Sequence, residues 1–501
     1  MPYVRKNGFW PCGEEWLLEA WAETYIPLLD LLREMLEQGW GKLTLTLTPV
    51  LVEQLQDPYM NHRLQVYLEN KLRQLVEEID RFHAMGDAGR RELALYYLDY
   101  YQRVLDLWGA RYRGRMLETL RGLREEGRLE VVASAATHAF LPLLGSEENR
   151  LIQARLGTSA HRELFGSRPA GFWLPECAFS PEMEGFALEL SREADYVILD
   201  YSALSSGDGR TFQAQRIGET PLFAIFRDEQ LSRLIWDRKG FPSHGPYREF
   251  SKRDADGVGI QYWKITSGET DLWHKQLYDP LEAASQARRD ARDFLVWLES
   301  MVSHLENPEG SLLLACYDTE LLGHWWFEGI AWLGEVLRLL EGHSRLQPCT
   351  CEEFIRKMAG HKRGGDVAVW KPIVTSWGDR HDFSTWQNEN TVELWNEIHR
   401  CEKLLLESLS RSTGAESPAP LLQAVRECLL LEASDWSFMI GRRDSESYAW
   451  ERFRNHTERF KFCLRFWEEG GCEEELARLQ EQDNLFPRLT LDWLRSAHAK
   501  S

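Results

Sequence analysis

The sequence predicts an α/β body with a mostly parallel sheet, open or closed into a barrel, followed by an all-helical unit. Three observations carry this reading. Short apolar strands alternate with long helical periods through about residue 344, the pattern of parallel strands joined by helices. From 345 to 501 the apolar residues recur at helical spacing, with no convincing strand. A chain of 501 residues also exceeds what one minimal domain needs, leaving room for a large body and a second unit.

Residues 13–39 carry Glu, Leu and Trp at helical spacing and read as an amphipathic helix, after which Leu43–Leu51 alternates apolar and polar residues like a strand. Helices are expected around 59–80 and 88–125, a short strand at Leu129–Ala133, a helix near 147–165 and a strand at Ala170–Leu174. Tyr196–Leu199 and Leu312–Cys316 read as further buried strands, each leading into a polar residue. Between about 201 and 262 clusters of Gly, Ser and Asp break the rhythm. Two strand-like runs there, Leu222–Phe226 and Leu231–Trp236, belong to what reads as an excursion from the body. Helical periods at 389–410, 419–434, 444–468 and 473–481 fill the C-terminal unit, 345–501.

Composition excludes several classes of function. Lys and Arg number 59 against 79 Asp and Glu, a net charge of -20, which repels phosphate backbones and anionic lipid surfaces. No nucleic-acid partner and no membrane partner is therefore expected, and no segment approaches the roughly 20 apolar residues of a membrane span. The N-terminus lacks the apolar core of a secretory signal, and nine scattered cysteines with no CxxC pair suit free thiols in a reducing compartment, the cytoplasm. Tryptophan is the outlier: 21 residues, about three times ordinary usage. Trp faces stack on sugar rings and also fill cores.

Two segments place a carboxylate directly after an apolar strand: Glu176 after Gly171–Leu174, and Asp318 after Leu312–Cys316. In a barrel both strand ends face one cleft, where a carboxylate pair can break a glycosidic bond, one attacking or activating water and the other protonating the leaving oxygen. A strand-end acid also serves as a helix cap. His138 and His324 sit beside these motifs, as sugar-binding rings or as buried structural histidines. No HExxH, paired CxxC or EF-hand loop marks a metal site, and no Walker A, GxGxxG or GxSxG marks nucleotide binding or a serine nucleophile. No metal and no cofactor is expected.

Phe172–Glu176 and the run Tyr317–Gly329 resemble the two catalytic regions of glycoside hydrolase family 57, and within it those of the 1,4-α-glucan branching enzymes. Gly8–Glu15, Ala136–His138 with Leu141–Leu144, Tyr247–Phe250, Trp377–Gly378 with Trp386, and Leu431–Trp436 extend the resemblance over essentially the whole chain. It implies an incomplete seven-stranded β/α barrel followed by an all-helical domain, with Glu176 as nucleophile and Asp318 as general acid/base. It further places Trp10, His138, Trp236, Trp377 and Trp386 around an α-1,4-glucan, the last two from the helical domain, and implies that the enzyme forms α-1,6 branches in a glycogen- or starch-type glucan. A hydrolase or 4-α-glucanotransferase on the same scaffold, or a glucan-binding protein with impaired catalysis, are the alternatives. The oligomeric state is left open.

The chain departs from the family in two places. Family members begin with a strand ending in His-x-His ahead of a Pro-Tyr-Val-Arg run that stands here at Pro2–Arg5. The barrel is thus expected to lack its first stave and a sugar-site histidine pair, which would weaken branching. Residues 201–221 are short and carry Tyr201 but no Tyr deeper in the loop, so a lid that excludes water is expected to be reduced and hydrolysis to gain.

Overall fold

In the computed structural model, which describes residues 1–9, 12–204, 212–254, 259–305, 308–361, 367–412 and 418–498, seven strands form one sheet. They are β1 (Leu43–Thr46), β2 (Leu129–Ser134), β3 (Gly171–Trp173), β4 (Tyr196–Leu199), β5 (Gln215–Ile217), β6 (Phe223–Phe226) and β7 (Val369–Trp370). Their spatial order is β1-β2-β3-β4-β6-β5-β7. Every pairing is parallel except that of β5 with β6. The apolar runs of β2 and β4 are buried along their whole length, as expected of strands covered on both faces.

Local chemistry sets the boundaries. The helix Pro58–Met85 begins with proline in its first turn and with the Asp57 side chain accepting from the Met60 N–H, and it stops at Gly86, whose φ is 71°. The helix Glu147–Phe165 has the same grammar, capped by Ser146 and closed by Gly166. The first predicted helix runs from Glu14 to Gln38 with a π-helical turn at Trp21–Tyr25.

Five expectations are corrected. The alternating run stops at Thr46, because Pro49 opens a helix to Gln56. Leu222–Phe226 supplies β6, bonded to β4 within the main sheet, so the excursion is smaller than its composition implied. Leu231–Trp236 lies in a helix, Glu229–Trp236, capped by Asp228. Leu312–Cys316 forms no strand; among the described residues its backbone bonds join Leu312 to Phe212 and Leu314 to Asp228. A strand does follow residue 345, since β7 pairs with β5. It is too short for a period to show. Of the C-terminal helical periods, 419–434 resolves into Ala419–Leu431 and a new helix, Ser434–Arg442, the turn between them bridging Ala433 to Ala139.

The helices Val392–Arg411, Ala419–Leu431 and Glu446–Glu469 share with the sheet one continuous apolar core, which runs from Phe172, Val197 and Ala224 to Leu394, Leu421 and Phe453. At the other end of the order, β1 has one sheet neighbour among the described residues, β2. The barrel is incomplete there, and Leu43–Leu47 and Leu312–Ala315 line the same cavity.

One buried ion pair ties the loop after Asp318 to the first helical run. Arg248 bonds Glu23 at 2.6 Å with both side chains sealed from solvent, Tyr101 donates to the same carboxylate at 2.5 Å, and Tyr278 donates to Glu328 at 2.6 Å while the Arg248 N–H reaches Glu328 at 3.2 Å. The loop comes so close at Gly323 (φ 125°) that a Cβ would overlap the Glu23 carbonyl. Gly323→Ala should therefore lower Tm by several degrees and reduce turnover, because it displaces the loop that carries Asp318. Unchanged Tm and activity would show that the contact is not required.

Candidate active site

Parallel strands deliver their C-terminal ends to one side of a sheet, and this chain places its polar residues there. β2 leads to His138, β3 to Glu176, β4 to Asp200 and β6 to Arg227. Glu176 and Asp318 line one cavity of about 2490 Å³ with His138, Arg227, Trp377 and Asp435. The Asp318 side chain makes no capping bond to the turn Thr319–Leu321 that follows it, which removes the helix-cap reading for this residue.

Glu176 is held in a strained turn. Its φ is 62°, that of Cys177 is 51° and that of His138 is 57°, left-handed values that cost a non-glycine residue on the order of 1–3 kcal/mol each. The turn persists because Cys177 and Ala178 bond back to Leu174 and Pro175, while the Trp377 N–H bonds the Glu176 carbonyl at 2.9 Å. The His138 carbonyl likewise accepts from the Ser434 N–H at 3.2 Å.

The carboxylate of Glu176 receives two donors. Trp377 Nε1 donates to Oε2 at 2.6 Å, and Ser434 Oγ, from the C-terminal helices, donates to Oε1 at 3.0 Å. His138 Nδ1 lies 3.0 Å from that hydroxyl and 3.7 Å from Glu176 Oε1. Burial pushes His138 down to about 3, so its ring is neutral. Ser434 has one proton; once it is given to Glu176, the hydroxyl accepts from Nδ1–H, which fixes the tautomer.

Burial raises both carboxyl groups. Glu176 reaches about 7, with Trp377 and Ser434 opposing the rise and the charge of Asp318 adding to it. Asp318 reaches about 6, with the charge of Glu320 contributing. Glu176, at about 7, holds its proton more tightly than Asp318, at about 6, although Trp377 and Ser434 both donate to it. The reactive form, with Glu176 ionised and Asp318 protonated, is therefore the less populated of the two singly protonated states, and the donors Trp377 and Ser434 raise its share.

Trp377 is buttressed in turn. Its ring meets Trp173 edge-on at 5.1 Å, and the Arg227 guanidinium lies 5.0 Å from its centroid. Arg227 bonds Asp200 at 2.6 Å, His381 Nδ1 lies 3.1 Å from the same carboxylate, and Tyr201 meets His381 Nε2 at 2.9 Å. Although Asp200 is buried, His381 and Arg227 hold it below its ordinary value.

The other expected site residues differ in exposure. His138, Trp236, His324, Trp377 and Trp386 all line the cavity, while Trp10 lies outside the described residues. Trp236 is 47% exposed at the end of its helix, whereas Trp386 (1%) and His324 (4%) are buried. Trp386 packs on Phe140 at 4.7 Å, and Gly378 sits so close that a Cβ would lie 2.8 Å from the Trp386 ring. Trp377 and Trp386 fall in the segment between β7 and Val392–Arg411, and Trp386 also meets Phe438 of the C-terminal helices, at 6.3 Å. Sequence reasoning missed Ser434 and Arg227 as site residues. A hydroxyl has no catalytic signature, and only its place within Leu431–Trp436 pointed toward it.

Among the described residues one group could share an ion: Glu427, His456 and Asp483, with ligand atoms within 4.8 Å of one another. Gln423, Arg452 and Arg459 already bond them in the helical core, so a cation there would have to displace two arginines.

The paired acids predict a narrow bell in kcat/KM, with limbs near pH 6 and 7. Ser434→Ala removes a donor from ionised Glu176, so its affinity for a proton rises; the alkaline limb should move to higher pH and kcat fall about tenfold. An unmoved limb would contradict the role given to Ser434.

The model of glycosyl hydrolase family 57 matches residues 1–364, and that of the 1,4-alpha-glucan branching enzyme C-terminal domain matches 397–493. A 1,4-alpha-glucan branching enzyme of Thermococcus kodakarensis is 35% identical, covering 97% of this chain and 76% of its own; its crystal structure superposes with a TM-score of 0.89 at 33% identity, covering 98% of this chain and 94% of that one. The branching enzyme of Pyrococcus horikoshii gives a TM-score of 0.89 at 33% identity, covering 99% and 94%. The alpha-amylase AmyC of Thermotoga maritima gives 0.85 at 28%, covering 99% and 97%. This chain belongs to glycosyl hydrolase family 57, and its C-terminal helices to the branching-enzyme C-terminal domain.

Proposed function

We propose that the chain is a retaining 1,4-α-glucan branching enzyme with Glu176 as nucleophile and Asp318 as general acid/base. The observation that carries this reading is the asymmetric carboxyl pair: Glu176 braced by Trp377 and Ser434, Asp318 unbraced in the same cavity. Asp318 gives its proton to the oxygen of an α-1,4 bond while Glu176 attacks the anomeric carbon, forming a β-linked glucosyl enzyme. Asp318, now a base, takes the proton of an acceptor's 6-hydroxyl. That oxygen displaces Glu176 and leaves an α-1,6 branch of retained configuration.

His138, Trp236 and Trp377 border the sugar, while Trp386 and His324 form the wall behind. The first unit comprises the sheet through β7 and the segment that carries Trp377 and Trp386; the C-terminal helices form the second and reach the nucleophile through Ser434. The substrate is an α-1,4-glucan. No helix among the described residues is long and apolar enough to cross a membrane. The nine unpaired cysteines support a cytoplasmic location. Water competes with the acceptor for the same intermediate, so hydrolysis is the second fate of the glucosyl enzyme.

Incubation with amylose should yield new α-1,6 linkages in excess of new reducing ends, and Glu176→Gln should abolish both. New reducing ends without branches would establish the hydrolase instead. Because burial raises Glu176 from the ordinary carboxylate value of 4.5 to about 7, the unfolded chain releases this proton first, and folded-state stability falls as the pH rises from the carboxylate range through about 7 and stays lowered above it. Glu176→Gln should therefore unfold at a higher temperature than the wild type at pH 8 and lose that advantage at pH 5. The reverse order would contradict the buried, raised carboxyl.

A further inference from the structure

Beyond Glu320 the cavity wall carries a built aromatic platform. Trp325 is 47% exposed although Phe250 covers one side of its ring, at 4.5 Å and 27°. His324 closes the group edge-on, 5.5 Å from Trp325 and 5.4 Å from Phe250. The backbone holds the platform in place: the Trp325 N–H bonds Glu320 at 3.3 Å, the Trp326 N–H bonds Leu321 at 2.8 Å, and the His324 N–H bonds Thr24 Oγ1 at 3.0 Å. A large ring braced from behind and open in front costs no reorganisation when a ligand stacks on it.

The polar groups beside it suit a hexose. Arg253 forks onto both oxygens of Glu19 at 2.9 and 3.1 Å. Two buried polar atoms, Nδ1 of His324 and Oε2 of Glu15, have no hydrogen-bond partner. All of these residues line the cavity that holds Glu176 and Asp318. An aromatic face for the C–H side of a sugar ring, next to a guanidinium, carboxylates and an unsatisfied imidazole nitrogen for its hydroxyls, is the donor and acceptor set a glucose unit requires.

We propose that Trp325, backed by Phe250, forms a glucan subsite on the side of the acid/base. The inference rests on the glucan activity proposed above. The side follows from the chemistry: Asp318 serves both the leaving oxygen and the incoming 6-hydroxyl, and Trp325 stands on the loop that begins at Asp318 and folds back on Glu320. The occupant is a glucose unit of the acceptor or departing chain. Among the described residues, these ring and backbone contacts of the platform come from outside the C-terminal helices.

The test uses the full chain. In a Glu176→Gln background, maltoheptaose binding is measured by calorimetry with Trp325 intact, with Trp325→Ala and with Trp325→Tyr. Loss of a stacked ring should weaken binding about tenfold, and Tyr should restore most of it. In the otherwise wild-type enzyme with α-maltosyl fluoride as donor, the maltoheptaose acceptor concentration for half-maximal transfer should rise about tenfold in Trp325→Ala, with a smaller change in the donor KM. Binding by Trp325→Ala within twofold of its parent, or no recovery with Tyr, would overturn the subsite alone. A rise confined to the donor KM would overturn its placement on the acid/base side. If the Glu176→Gln parent binds no maltoheptaose, the glucan reading and the subsite fall together.

Discussion

The rest of the site depends on the cost of burying the Glu176 carboxylate. A buried charge without partners shifts its titration and neutralises, and here burial does move Glu176 up to about 7. What keeps an ionised form within reach near neutrality is a pair of donors from outside its own strand, Trp377 Nε1 and Ser434 Oγ. Each donor needs its own support. Arg227, Asp200, His381 and Tyr201 brace Trp377, and Ser434 is set by its backbone bond to His138 and by the bridge from Ala433 to Ala139. The C-terminal helices therefore complete the surroundings of Glu176, the proposed nucleophile, and share one apolar core with the sheet.

The side of Asp318, the proposed acid/base, is organised differently. Asp318 has no strand ladder behind it, because Leu312–Cys316 runs beside the end of β6 with isolated bonds. Its loop is anchored instead by side chains: Tyr25 of the first helical run donates to Glu320, Tyr278 donates to Glu328, and Arg248, whose N–H also bonds Glu328, pairs with Glu23 of that run. Breaking one partner of a buried pair such as Arg248 and Glu23 leaves an uncompensated charge, a loss of about 3–5 kcal/mol. Sheet geometry sets one carboxyl group and a buried ionic network sets the other, so the two can be perturbed separately.

What was legible in the sequence follows the same division. The strands β2, β3 and β4 showed because a buried parallel strand is a short apolar run between helices, and Glu176 followed from its place after one of them. Asp318 was found for a partly mistaken reason, since its apolar run is extended without being a strand. Leu231–Trp236 read as a strand although Leu231, Leu234 and Ile235 stand at helical spacing behind the cap Asp228; in so short a window the apolar content outweighed the period. β7 spans two residues and carries no period at all. Ser434 and Arg227 were invisible as site residues because their roles exist only through partners far away in sequence.

The account's central claim is that Glu176, reacting in its ionised form, becomes covalently glycosylated. The most direct measurement is mass spectrometry of peptides after the wild-type enzyme is trapped with 5-fluoro-α-glucosyl fluoride, a donor whose glycosyl enzyme turns over slowly. The account predicts a single hexosyl adduct on the peptide containing Glu176, with fragmentation placing it on that side chain. An adduct on Asp318 or another carboxylate, or continued turnover with no adduct, would contradict it.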